Sequence, residues 1–269
     1  MEIDRFKHYD VDFFLELATA EGWICDRWEF DFLINAFPEG CLVCRESGRA
    51  AAFVTGITYG KSGWIGNLLV RKDLRGKGTG SALLKRVLAV LGTAGTETVW
   101  LTASEAGKSI YEKLGFTAVD VIKRWRGTGA DSNGAEAGAI SLVDILAMDE
   151  AGWGDRREAI IGAVTARSTV FGLRDGFLVS QKCGIDVQLG PWGCRNGEAA
   201  GTLLDCALAK VEVGAGIFLD VPVGNIAAAS LLRTRGFSIE GSATLMYLGL
   251  APAYHPERIY ALASMGSMG

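Results

Sequence analysis

The residues best placed to do chemistry lie between Leu68 and Leu91, LLVRKDLRGKGTGSALLKRVLAVL. Gly76, Gly78 and Gly80 let the backbone turn sharply with no Cβ in the way. Directly afterwards Leu84, Val87, Leu88 and Leu91 recur at helical spacing, so the turn becomes a helix N-terminus whose first amides lack partners within the helix. Such an end binds phosphate. Around it Arg71, Lys72, Arg75, Lys77, Lys85 and Arg86 are set against a single acid, Asp73, in a chain whose net charge is −4. An anionic, phosphate-bearing ligand follows from that contrast.

The spacing then discriminates among phosphate ligands. A Walker loop needs Ser or Thr directly after Gly-Lys, and Lys77 is followed by Gly78; a dinucleotide fingerprint starting at Gly76 needs a glycine where Ser81 stands. What the stretch does carry is R-x-x-G-x-G, Arg75 to Gly80, after Leu68-Leu69-Val70. This resembles motif A of the GNAT superfamily of acyl-CoA-dependent N-acyltransferases. Further on, Ala103-Ser104-Glu105-Ala106-Gly107 followed by Tyr111-Glu112-Lys113-Leu114-Gly115-Phe116 resembles that family's motif B.

The resemblance implies a GNAT-type N-acetyltransferase that moves an acetyl group from acetyl-CoA to a primary amine of a small molecule or peptide. It implies that Leu68, Leu69, Val70, Arg75, Gly76, Lys77, Gly78, Thr79, Gly80 and Ser81 bind the acyl-CoA, with backbone N–H groups of Leu68 to Val70 meeting the oxyanion. It also implies that Tyr111 protonates the leaving thiolate; a merely packed aromatic is the alternative. Many relatives carry a carboxylate base on the strand before motif A, but here Gly66 and Asn67 stand there and neither takes a proton. Asp26, Glu29 and Glu105 read as solvated surface carboxylates, and a water chain could serve equally. A non-catalytic acyl-CoA-binding or sensing module, and a nucleotide-binding protein with fortuitous glycines, are the competing classes.

The elements that must hold these residues can be read outward from the glycine turn. Leu68 to Val70 ends a strand beginning near Trp64, while Gly40–Glu46 and Arg49–Tyr59 flank Ser47-Gly48 as a hairpin. Val11 to Ala20 forms a first helix, and the aromatic-rich Trp28, Phe30, Phe32 and Leu33 form a short second helix or loop that is largely core and, by the resemblance, one wall of the acceptor pocket. Trp100 to Phe116 reads as strand, helix and Gly stop, and Thr117 to Lys123 as a strand that pairs back. Gly127 to Gly138, GTGADSNGAEAG, cannot build a core and reads as a linker.

Beyond it the sequence repeats itself. Arg195 to Ala200 falls on Arg75 to Gly80, and Asn225 to Phe237 on Ser104 to Phe116, with both segments ending in Gly-Phe. The expected fold is therefore α/β (α+β): two tandem GNAT-like domains, residues 1–130 and 139–269, each a mixed, mostly antiparallel twisted sheet flanked by helices. The second resembles the degenerate acetyltransferase-like domain of some bacterial relatives. Glu198 replaces Gly78 and Leu232 replaces Tyr111 there, so the halves should be unequal, with only the first turning over acyl-CoA.

Composition bounds the rest. At 269 residues, 49% hydrophobic and 22% charged, the chain suits two soluble globular domains. No apolar run reaches the length of a membrane span and the N-terminus lacks a signal pattern, so a cytoplasmic protein without membrane partners is expected. Six cysteines imply reduced, packed thiols; two histidines give no metal ligand set, so no metal is expected. The acidic balance argues against a nucleic-acid surface. A homodimer is compatible with the resemblance.

Overall fold

The computed structural model describes residues 2–130 and 137–269. The first half contains β1 (Glu2–Arg5), α1 (Val11–Ala20), α2 (Arg27–Ala36), β2 (Leu42–Glu46), β3 (Arg49–Thr58), β4 (Ser62–Val70), α3 (Thr79–Thr93), β5 (Thr98–Ala103), α4 (Lys108–Glu112) and β6 (Thr117–Thr128). The second contains α5 (Leu142–Trp153), α6 (Glu158–Arg167), β7 (Thr169–Leu173), β8 (Gly176–Cys183), β9 (Asp186–Cys194), α7 (Gly197–Leu208), β10 (Gly216–Pro222), α8 (Ile226–Thr234), β11 (Ser238–Gly249) and β12 (Ile259–Ala261).

Local chemistry accounts for the key elements. Ser47 and Gly48 both take positive φ, which fits a two-residue hairpin turn between β2 and β3. Asp26 accepts from the Trp28 amide and caps α2, Ser141 caps α5, and Asn196 and Asn225 cap α7 and α8. One face of α3 presents Leu83, Leu84, Val87 and Leu91 to a core that includes Ala52, Val54 and Ile65 of the sheet. A second core gathers around Trp192, Leu203, Leu204 and Leu232. The third, around Trp64, Trp100 and Trp153, takes side chains from both halves.

Among the described residues the strands form one mixed, mostly antiparallel sheet in the order β1-β2-β3-β4-β5-β11-β6-β10-β9-β8-β7, with β12 beside β9. Thr117 to Lys123 does not pair back onto its own half, contrary to the expectation from sequence. Instead β11 inserts between β5 and β6, and β6 runs antiparallel to β10, so each half completes its sheet with a long strand from the other. Gly127 and Thr128 belong to β6, pairing with Ile217 and Gly216, and Gly138 bridges to Gly172. The remaining centre of the expected linker, residues 131–136, lies outside the described residues, as does the place where a boundary between 130 and 139 would fall.

Candidate active site

β4 and β5 are paired only at Ser62–Thr98, Gly63–Val99 and Trp64–Trp100, after which they diverge. A bulge drives the divergence. Between Gly66 and Leu69 the register against β3 slips, and Asn67 adopts φ of 56°. The strain is held by burial, with Asn67 Nδ2 donating to Thr55 Oγ1 at 2.9 Å. Beyond the bulge, Arg71 donates its amide to Ala51 of β3, so by strand alternation the amide of Leu69 also faces β3 and that of Val70 faces the gap. The Val70 carbonyl on that edge accepts from Arg75 Nε at 3.0 Å.

The gap leads to the start of α3. Gly78 is its N-cap, left-handed at φ 81°, and supplies no side-chain cap; Gly76 is left-handed as well, and a Cβ on either would point into open space. Thus the first amides of α3 face outward unsatisfied, and with the helix dipole they make an anion cradle. The basic residues divide the labour. Arg75 and Lys72 both pair with Glu21, and Arg71 pairs with Asp73, so these brace the turn against α1 and against itself. Lys77 has no ion pair among the described residues.

Tyr111 sits on α4 with its ring edge-on to Phe116. Burial pushes its hydroxyl up to about 12, so near neutrality it keeps a proton to give. It lines a cavity of about 530 Å³ together with Gly66, Asn67 and Leu68 of β4 and Thr102 and Ser104 at the end of β5. Hence the backbone edge and Tyr111, predicted as parts of one site from two motifs, do share one space. Arg75 to Ser81 forms the turn at the far end of the same strand edge.

The far wall of this cavity was not legible in the sequence. The segment from Ser264 to Met268 enters from far along the chain: Gly266 O accepts from the Asn67 amide, Met265 O from Thr102 Oγ1 and Met268 O from Tyr59. Gly66 must be glycine there, since a Cβ would collide with Gly266 O and lie 2.8 Å from Ser267 Cα. Of the three carboxylates expected to be solvated, only Glu105 is exposed. Asp26 caps α2 and pairs with Arg167, while Glu29 is 9% exposed, lines the cavity and accepts from Ser267 Oγ at 2.9 Å. Burial, reinforced by Asp26, pushes Glu29 up to about 7 against the opposing hydrogen bonds of Ser264 and Ser267 and the charge of Arg124. The expectation of a surface carboxylate at position 29 is corrected by that burial.

The second half has the same splay, and it is filled. β9 and β10 pair in parallel only at Val187–Ile217 and Gln188–Phe218. Into the gap comes β12, antiparallel to β9 at Gly193 and Trp192, and Leu262 next to it donates to Asp220 O of β10 at 2.9 Å. At the start of α7 the Ala199 amide is taken by the Asn196 side chain. Leu232, in the place of Tyr111, is fully buried.

Comparison with known proteins agrees with this geometry. Residues 4–116 match the acetyltransferase (GNAT) family and residues 145–261 match an acetyltransferase (GNAT) domain. An uncharacterized N-acetyltransferase of Methanocaldococcus jannaschii is 28% identical over 138 residues, covering 43% of this chain and 60% of its own length. In fold the chain is similar to a Pyrococcus horikoshii protein named as an acetyltransferase, at a TM-score of 0.85 and 21% identity over 100% of this chain and 95% of that one. A GCN5-related N-acetyltransferase from Sphaerobacter thermophilus aligns with a TM-score of 0.64 and 15% identity over 97% and 98% of the two chains. No helix among the described residues is long and apolar enough to cross a membrane. With both halves matched in tandem, the chain belongs to the GNAT acetyltransferase family.

Proposed function

We propose that the first half transfers an acetyl group from acetyl-CoA to a primary amine of a small molecule or peptide. The observation that carries this is the joined pair of features on β4: an open strand edge at the bulge and an uncapped helix start directly after it. Phosphates of the CoA would lie on the amides of Gly76 to Ser81, with Lys77 free to screen them. The acyl arm would run along Leu68 to Val70, where an outward amide meets the developing oxyanion. Tyr111, protonated near neutrality, would donate to the departing thiolate.

The filled second cleft supports one acyl-CoA site per chain, with the second half shaping the acceptor side of the first. Phe218 and Gln188 reach the same cavity as Tyr111, which fits an acceptor bound between the halves. The test combines binding and turnover. Acetyl-CoA should raise the thermal midpoint where ATP does not, calorimetry should give one site per chain, and CoA should be released from acetyl-CoA in the presence of a suitable amine from a panel. Binding with no release by any amine would favour a sensing module, and stabilisation by ATP alone would favour a nucleotide protein.

A further inference from the structure

We infer that Glu29 is the base that takes the proton from the acceptor amine, and that Ser267 of the C-terminal segment positions it. This rests on the acyl-transfer reading above. It starts from an imbalance in the interior. Asp10, Asp149 and Asp220 are buried carboxylates, and each has an arginine: Arg45, Arg157 and Arg124. Glu29 is buried too, yet no ion pair among the described residues includes it; its partners are the hydroxyls of Ser267 and Ser264. An unpaired buried carboxylate weakens the fold, so one that opens on a reaction cavity is a candidate for chemistry.

The surroundings are built for both protonation states. Ser267 Oγ lies 2.9 Å from Glu29 Oε2 and 3.3 Å from Asn67 Oδ1, but a hydroxyl has one proton to give. When Glu29 is charged, Ser267 donates to it. Once Glu29 is protonated, it can donate to Ser267 Oγ, and the serine proton turns to Asn67 Oδ1, whose amide is held in place by Thr55. Glu29 therefore keeps a partner in Ser267 in either state, while the serine proton is shared between the carboxylate and Asn67 Oδ1. The other ionisable groups that bear on Glu29 are Asp26 from the cap of α2, Arg124 from β6, and the thiols Cys25 and Cys183, both raised by burial and therefore neutral. Arg124 is already engaged with Asp220 through two nitrogens.

The proton balance is complete. An ammonium gives one proton to Glu29, and the neutral amine forms its C–N bond at the thioester carbon. As the C–S bond breaks, the thiolate takes the Tyr111 proton, Tyr111 is reprotonated from the former amine nitrogen, and Glu29 returns its proton to water.

Glu29→Gln tests this, because Gln keeps the shape and the Ser267 contact but cannot accept the proton. At pH 7.5 its kcat/KM should fall by about 10²-fold, with acetyl-CoA affinity unchanged by calorimetry. The deficit should shrink for weakly basic amines that arrive already neutral. A second readout needs no activity. A carboxyl raised in the fold loses stability as pH climbs from its ordinary range through about 7, so the variant should melt with wild type at pH 5 and above it at pH 8.5. Ser267→Ala removes a bond to the charged form and should move the inflection of the kcat/KM profile upward, which a merely structural serine would not do. An active wild type matched by Glu29→Gln, or an equal deficit with every amine, overturns the assignment. A wild type that binds no acetyl-CoA instead overturns the acyl-transfer reading, whatever the melting curves show.

Discussion

At the scale of single residues, Gly78 is where geometry and chemistry coincide. Its left-handed φ costs any side chain roughly 1–2 kcal/mol, although a Cβ there meets open space. Gly78→Ala should therefore lose about that much stability in urea titration while still binding acetyl-CoA. Gly78→Glu adds a carboxylate at the cradle and should abolish binding by calorimetry; an unchanged affinity would remove the phosphates from this turn. Tyr111→Phe keeps the ring contact with Phe116 and should lower kcat by about 10²-fold with little change in affinity. If stability and turnover fell together, Tyr111 would be a core residue and nothing more. These positions were legible because glycine spacing and a tyrosine at a fixed distance from Gly-Phe are statements about backbone and side-chain chemistry that sequence makes directly. Glu29 was not legible, since a glutamate three residues after a helix cap is ordinarily solvated, and its partner Ser267 comes from 238 residues away.

At the scale of elements, the decisive comparison is between two splays of the same kind with different occupants. The one between β9 and β10 holds β12, whereas the one between β4 and β5 opens on the cavity and is crossed by the C-terminal segment through Asn67 at the bulge and Thr102 on β5. Sequence registered the inequality through Glu198 and Leu232, but the physical cause is larger, because a strand stands where an acyl arm would need to lie. Gly66 controls the other contact. In Gly66→Ala the methyl meets backbone on the docked segment, which cannot swing away as a side chain would, so the segment must shift. The expected result is faster proteolytic cleavage after Arg258 and at least a tenfold loss of turnover, with acetyl-CoA still bound. A variant with unaltered cleavage and turnover would show that docking at Gly66 has no part in the reaction. Helices α1 and α3 and the β2–β3 hairpin, by contrast, follow periodicity and turn chemistry and were readable in advance.

At the scale of the whole molecule, the exchange of β6 and β11 makes two sequence repeats into one sheet. Periodicity could find the strands but not their partners, because β6 is equally suited to either neighbour and the choice is made by contacts far along the chain. The join is sealed by Arg124 on β6, which grips fully buried Asp220 on β10 through two bonds of 2.8 Å and lies over Phe218. Asp155, just past α5, accepts from both backbone and side chain of Ser62 at the start of β4 and adds a second tie. Halves linked in this way should not unfold separately. Urea should give a single transition with one midpoint for the first half's Trp64 and Trp100 and the second half's Trp192, each isolated by replacing the others with Phe. Asp220→Asn leaves the Arg124 guanidinium without its counter-charge and should move that shared midpoint down by the equivalent of about 3–5 kcal/mol, still as one transition. Two separated transitions in the wild type would mean that the exchanged strands do not couple the halves, and a shift confined to the second half's signal in the variant would locate the pair's contribution in one half alone.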